Sequence, residues 1–132
     1  MSAMEAALKL KEISYMHTEA FAAGELKHGT IALIEEGTPV LAIVTQDRLA
    51  EKMISNMKEV KARGGYVIAI AKEGIEHIHE VADKVIELPK APDLFMPIFS
   101  VVPSQLLSYY VSTLKNNDVD KPRNLAKSVT VE

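Results

Sequence analysis

VLAIVTQDRLAEKMISNMKEVKARGGYVIAIAKEGIEHIHEVADKVIEL, residues 40–88, decides the fold class. Residues 40–44 are a continuous apolar run of strand length, the pattern of a strand covered on both faces. Residues 66–71 repeat that pattern, and residues 85–88 supply a third run. Between the first two, Asp47 can cap a helix over 48–62. Its inward positions, Leu49, Met53, Met57 and Val60, recur at helical spacing, and methionine there reads as core filler. Gly64-Gly65 ends the helix in a turn. Strands alternating with helices predict a parallel sheet with helices on both faces.

Upstream, residues 5–29 read EAALKLKEISYMHTEAFAAGELKHG. Ala3, Ala6, Ala7, Leu10 and Ile13 give a helix its apolar side. Glu5, Lys9 and Glu12 form a separate charged stripe. Such a stripe is either a solvated face, adding about 0.2–0.5 kcal/mol per pair, or a carboxylate base held by its partner. The pattern breaks at residues 17–19, so His17 is expected to close the helix. Residues 17–22 could add a strand to the sheet. Gly24 and Gly29 then bracket a polar segment carrying His28, a possible proton shuttle. Residues 31–34 finish a short helix or turn, and 35–39 form a loop.

Downstream, Pro89, Pro92 and Pro97 interrupt the chain before a long helix over 93–115. Pro97 is tolerable in its first turns, whereas Pro103 is expected to kink or split it. Ser100, Ser104, Ser108 and Ser112 recur every four residues, which reads as a packing or polar stripe rather than a set of nucleophiles. His77 and His79 read as solvated side chains.

One hundred and thirty-two residues can bury a real core within one domain. Fifteen basic residues against eighteen acidic ones leave no nucleic-acid footprint. With no cysteine, the chain has neither a disulfide framework nor a thiolate zinc site. No signal peptide is visible, and no uninterrupted apolar run approaches the ~20 residues of a membrane span. The cytoplasm is the expected compartment, and no cofactor is expected.

Residues 7–29 and the final run DVDKPRNLAKSVTVE, 118–132, together resemble the glucosamine-6-phosphate synthase family (glutamine–fructose-6-phosphate aminotransferases). The likeness is to the second sugar-isomerase (SIS) half of the isomerase domain, and it covers nearly the whole chain. Thr30 departs from the Pro that many members carry after the His-Gly pair. The resemblance implies a three-layer α-β-α sandwich with a parallel sheet of about four strands, the family's first strand being missing. It also implies a single SIS-type domain, 1–132, with 118–132 as a tail, and a fragment of a longer polypeptide.

The family reaction turns fructose 6-phosphate and glutamine-derived ammonia into glucosamine 6-phosphate. Opening the sugar ring needs a proton shuttle, for which histidine suits. Holding the carbonyl as a Schiff base needs an uncharged lysine. Moving a proton between C1 and C2 needs a positioned carboxylate. By resemblance, His28 is the ring-opening histidine, Lys127 the Schiff-base lysine, Glu12 the proton carrier and Lys9 its helper. Ala126 and Arg123 are implied substrate contacts; the positive charge of Arg123 could lower the Lys127 pKa, or Arg123 could equally pair with a carboxylate such as Asp120.

The implied partners are the sugar phosphates, a second copy in a homodimer, and the N-terminal SIS half and glutaminase domain. Lacking cysteine, this chain does not contain that glutaminase, whose nucleophile is an N-terminal cysteine. The phosphate-binding loop is expected in the other half, since no Ser/Thr/Gly-rich loop follows a strand here. The competing class is a non-catalytic SIS module that binds a sugar phosphate or regulates. A Schiff-base lysine on the tail favours the enzyme.

Overall fold

A computed structural model describes residues 1–125. The element order is α1 (Ser2–Ser14), β1 (Pro39–Val44), α2 (Ala50–Lys61), β2 (Tyr66–Lys72), α3 (Ile78–Val81), β3 (Lys84–Leu88) and α4 (Met96–Leu114), with short 3-10 turns between them. The three strands pair in the order β1-β2-β3, all parallel, with Ala42 opposite Ala69 and Ala69 opposite Val85. Three strands, rather than about four, make the sheet among the described residues. Residues 17–22 adopt no strand.

Alternation along β2 explains the layers. Val67, Ala69 and Ala71 face one side and pack with Ile54, Met57 and Val60 of α2 and with Ile78 and Val81 of α3. Ile70 faces the other side, against Met96 of α4 and Leu88. Each large side chain buried in this way contributes about 1.5–3 kcal/mol. Leu49 does not point inward as its spacing suggested. It lies in a separate 3-10 turn, Asp47–Leu49, and Ile54 takes the buried position. The third strand is an edge, with Ile86 exposed and Leu88 buried.

The serine stripe is the seam on which α1 packs. Ser100, Ser104, Ser108 and Ser112 are buried, as are Ala6, Ala7 and Ser14 of α1. Small side chains let the two helices approach closely, and their hydroxyls are satisfied. Ser104 and Ser108 donate to carbonyls one turn back, at 2.8 and 2.9 Å. Ser112 donates instead across the seam to the Ile13 carbonyl, at 2.6 Å.

Pro103 neither splits α4 nor ends it; the helix runs unbroken from Met96 to Leu114. The proline costs one N–H, the one that would bond the Phe99 carbonyl. The stretch Asp93–Leu114 is long and apolar enough by composition to span a bilayer, contrary to the reading of its interrupted runs. Here it is layered against α1 and the sheet. Its outward face leaves Ile98, Val102, Leu106 and Tyr110 exposed.

Candidate active site

Helix α1 carries two of the four expected site residues. Lys9 and Glu12 are three apart, hence on one face, and Lys9 Nζ donates to Glu12 Oε2 at 2.8 Å. Glu5 Oε1 lies 3.4 Å from the same ammonium. The hydrogen bond to Glu12 holds the Lys9 pKa above its ordinary value against the opposing effect of partial burial. Lys9 is therefore an ammonium at neutral pH, a partner for the carboxylate and not a free base.

The C-terminal end of α1 is pinned in place. Tyr15, not His17, closes the helix, in the left-handed conformation with φ 57°. Ser112 donates to the Ile13 carbonyl, and Asn117 Nδ2 approaches it at 3.4 Å. Lys115 Nζ donates to the Ser14 carbonyl at 2.7 Å. Carbonyls at the end of a helix lack intrahelical partners and carry partial negative charge, so a lysine is well placed there. Beyond α4, Asp118 Oδ1 accepts the N–H groups of Asp120 and Lys121 at 2.9 and 3.1 Å, which turns the chain back.

That turn brings Arg123 onto Tyr15. The guanidinium carbon lies 4.1 Å from the ring centroid, and the Arg123 N–H donates to Tyr15 Oη at 2.9 Å. Asp120, the carboxylate the sequence offered as a partner, is not what Arg123 meets. A cavity of about 410 Å³ opens beside this contact, lined by Glu12, Tyr15, His17, Arg123 and Leu125 among others. It joins the predicted carboxylate to the segment leading toward Lys127. Lys127 itself, like Ala126, lies outside the described residues.

His28 is elsewhere. Leu26 packs on the core formed with α2, and Lys27 Nζ is 2.5 Å from Glu59 Oε1 on that helix. His28 is left exposed between them and Gly29, whose φ of 142° only glycine adopts readily. Because α2 and α4 cover opposite faces of the sheet, the His28 segment and the Lys9–Glu12 pair lie on opposite sides. Within this chain they do not converge.

Two further features were not anticipated. Lys72 is buried at the C-terminal end of β2, 2.6 Å from Asp47 Oδ2 and 2.7 Å from Asp93 Oδ1. Hydrogen bonds to Asp47 and then Asp93 raise its pKa. These ion pairs tie together the loops at the sheet edge where α/β proteins commonly bind ligands. The only hint in the sequence is a lysine ending an apolar strand. Nor does spacing link Tyr15 to Arg123, since they are 108 residues apart. His77 and His79 are exposed and pair with Glu80 and Glu87, as solvated histidines do.

Comparison with known proteins agrees with this architecture. The chain is 64% identical over 130 residues to the glutamine–fructose-6-phosphate aminotransferase [isomerizing] of Caldanaerobacter subterraneus, covering 98% of this chain and 21% of that protein. The enzyme of the same name from Thermus thermophilus is 60% identical over 131 residues, covering 99% and 22%. The chain thus spans about a fifth of the length of these curated relatives. Among solved structures, the C-terminal domain of the Francisella tularensis glucosamine-fructose-6-phosphate aminotransferase superposes with a TM-score of 0.84 at 45% identity, covering 92% of this chain and 34% of that one. A glucosamine-6-phosphate deaminase from Thermotoga maritima superposes with a TM-score of 0.74 at 26% identity, covering 97% and 36%. Residues 1–115 match the SIS domain model, and the chain belongs to the SIS domain family.

Proposed function

We propose that this chain is the C-terminal isomerase part of a glutamine–fructose-6-phosphate aminotransferase: one SIS-type domain with residues 118–132 as its tail. The observation that carries the reading is the Lys9–Glu12 pair on α1, beside a cavity whose other wall, Arg123 to Leu125, leads to Lys127. In this reading His28 moves the proton that opens fructose 6-phosphate. The Lys127 amine then attacks C2 of the open ketose, water leaves, and a Schiff base forms. Glutamine-derived ammonia displaces the lysine, leaving a C2 imine. Lys9 holds Glu12 through Oε2, and Glu12 takes a proton from C1 and returns one at C2. The balance is one ammonia gained and one water lost, with an aldehyde at C1 and an amine at C2.

The opposite placement of His28 and Glu12 supports a site completed by two copies, so we read the active form as a cytoplasmic homodimer. The apolar face of α4 and a groove of about 350 Å³ between Ile86, Phe99 and Leu106 are suited to cover by further polypeptide. By itself this stretch is expected to make no glucosamine 6-phosphate, because in this reading phosphate binding and ammonia supply belong to the parts of the full-length relatives that it does not span.

The test is a chimera in which this chain replaces the matching residues of the Caldanaerobacter relative. It should form glucosamine 6-phosphate from fructose 6-phosphate and glutamine, and Lys127→Ala should abolish this. Borohydride with fructose 6-phosphate should attach the sugar to Lys127. A soluble, folded chimera without activity, or an active one labelled at Lys9, would overturn the assignment.

A further inference from the structure

Lys72 takes no part in the chemistry above, yet it ends the central strand with its side chain only 4% exposed. Two residues beyond Ile70, it shares that residue's face of β2, the face that α4 covers. Two turns converge on its ammonium. Asp47 Oδ2 comes from the turn after β1 at 2.6 Å, and Asp93 Oδ1 from the turn before α4 at 2.7 Å. Both carboxylates reach solvent, at 69% and 41% exposure, so they stand between Lys72 and the water outside. The lysine is protonated, since hydrogen bonds to Asp47 and then Asp93 raise its pKa. This is the carboxyl end of a parallel sheet, where α/β proteins commonly take up ligands. A lysine ammonium there is a group that a phosphate would seek. Here it is met by two carboxylates, which leaves the trio with a net negative charge. An apolar side chain could fill the same space without the cost of desolvating ions. What the trio adds is charge.

We propose that Asp47 and Asp93 close this crevice to anions: their carboxylates take the places on Lys72 that a phosphate group would otherwise fill. The effect is one of specificity, and it rests on the function assigned above only in naming fructose 6-phosphate as the anion kept out. Glu12 precedes Ile13, whose carbonyl meets Ser112 near the far end of α4. Asp93 lies just before the Met96 end of that helix, so the two places are roughly 24 Å apart along its axis. A sugar phosphate held at Lys72 would be out of reach of Glu12, hence unproductive.

The test titrates this chain with inorganic phosphate and with fructose 6-phosphate, read by NMR at the amides of Asp47, Lys72 and Asp93. Wild type should show no saturable shift at these positions. Asp47→Asn combined with Asp93→Asn keeps the size of both side chains and leaves the Lys72 charge uncompensated. Both anions should then bind there at least about tenfold more tightly than to wild type. Adding Lys72→Met should abolish that binding. Saturable binding to wild type at these amides, no binding to the double variant, or binding that survives Lys72→Met would each overturn the proposal. A double variant that takes phosphate but refuses fructose 6-phosphate would overturn the exclusion of the sugar phosphate. Should the double variant fail to fold, each single Asn variant keeps one ion pair and should still gain about threefold in phosphate affinity. Single variants as inert as wild type would then count against the proposal equally. An inactive chimera overturns the functional assignment and leaves the outcome of these phosphate titrations as it stands.

Discussion

Ser112→Ala tests whether α1 is held by the seam in the way its geometry indicates. Ser112 is fully buried, and its hydroxyl bonds the Ile13 carbonyl on the other helix at 2.6 Å. Removing that donor leaves the carbonyl with only Asn117, at 3.4 Å. A lost hydrogen bond of this kind costs about 1 kcal/mol. For a chain of 132 residues the unfolding entropy is about 0.3 kcal/mol/K, so the thermal midpoint should fall by about 4 °C. Ser104→Ala is the internal control. Its hydroxyl bonds only a carbonyl of its own helix, at 2.8 Å, and such back-bonding does not stabilise a helix. Its midpoint should barely move. Thermal unfolding followed by circular dichroism reads both variants. Equal shifts in the two, or none for Ser112→Ala, would refute the idea that cross-helix bonding fixes the Glu12-bearing helix.

Three other outcomes follow from the geometry. Asp83 accepts two bonds from Lys61, at 2.7 and 2.8 Å, and the Val67 N–H at 2.7 Å, and Lys61 foremost holds its pKa below the ordinary 3.8. Its stabilisation is therefore present above about pH 3.8 and lost as pH falls through the lower folded value, so Asp83→Asn should flatten the acid limb of a melting-temperature profile. Gly29→Ala should destabilise by about 1–3 kcal/mol in denaturant titration, purely through backbone strain at φ 142°, since no atom lies within 4 Å of the added carbon. Gly24→Ala, at φ −67°, should cost nothing comparable. Mixing the inactive chimeras His28→Ala and Lys127→Ala under subunit exchange should restore up to about half of one dimer's activity, because one site is then intact. Confirmed exchange with no recovery would place His28 in its own chain's site or in none.

The strands and the fold class were legible in the sequence because a strand covered on both faces must be apolar at every position. Residues 40–44 and 66–71 satisfy that condition within a few residues of chain, while residues 85–88, interrupted by Glu87, form the exposed edge strand. Lys9 and Glu12 were legible for a similar local reason, since a three-residue spacing puts two side chains on one helix face. What their pairing would do chemically came from resemblance alone. Local patterns also misled. Residues 17–22 lack the hydrogen-bonding neighbour that makes an extended segment a strand. Pro103 breaks one backbone bond, which packing along the rest of α4 outweighs.

Only the tertiary structure decided what depends on distant partners. A serine every fourth residue fits a solvated stripe as well as a buried seam, and the arrival of Ala6, Ala7 and Ser14 of α1 settles the choice. Lys72 is buried because Asp47 and Asp93, from two different loops, converge on it. Tyr15 and Arg123 meet across almost the whole chain. The sequence by itself determined the three strands and the long helices, because hydrophobic periodicity is a property of neighbours. Which side chains meet at the candidate site was decided by packing, because contact across a sheet or a seam leaves no period in the chain.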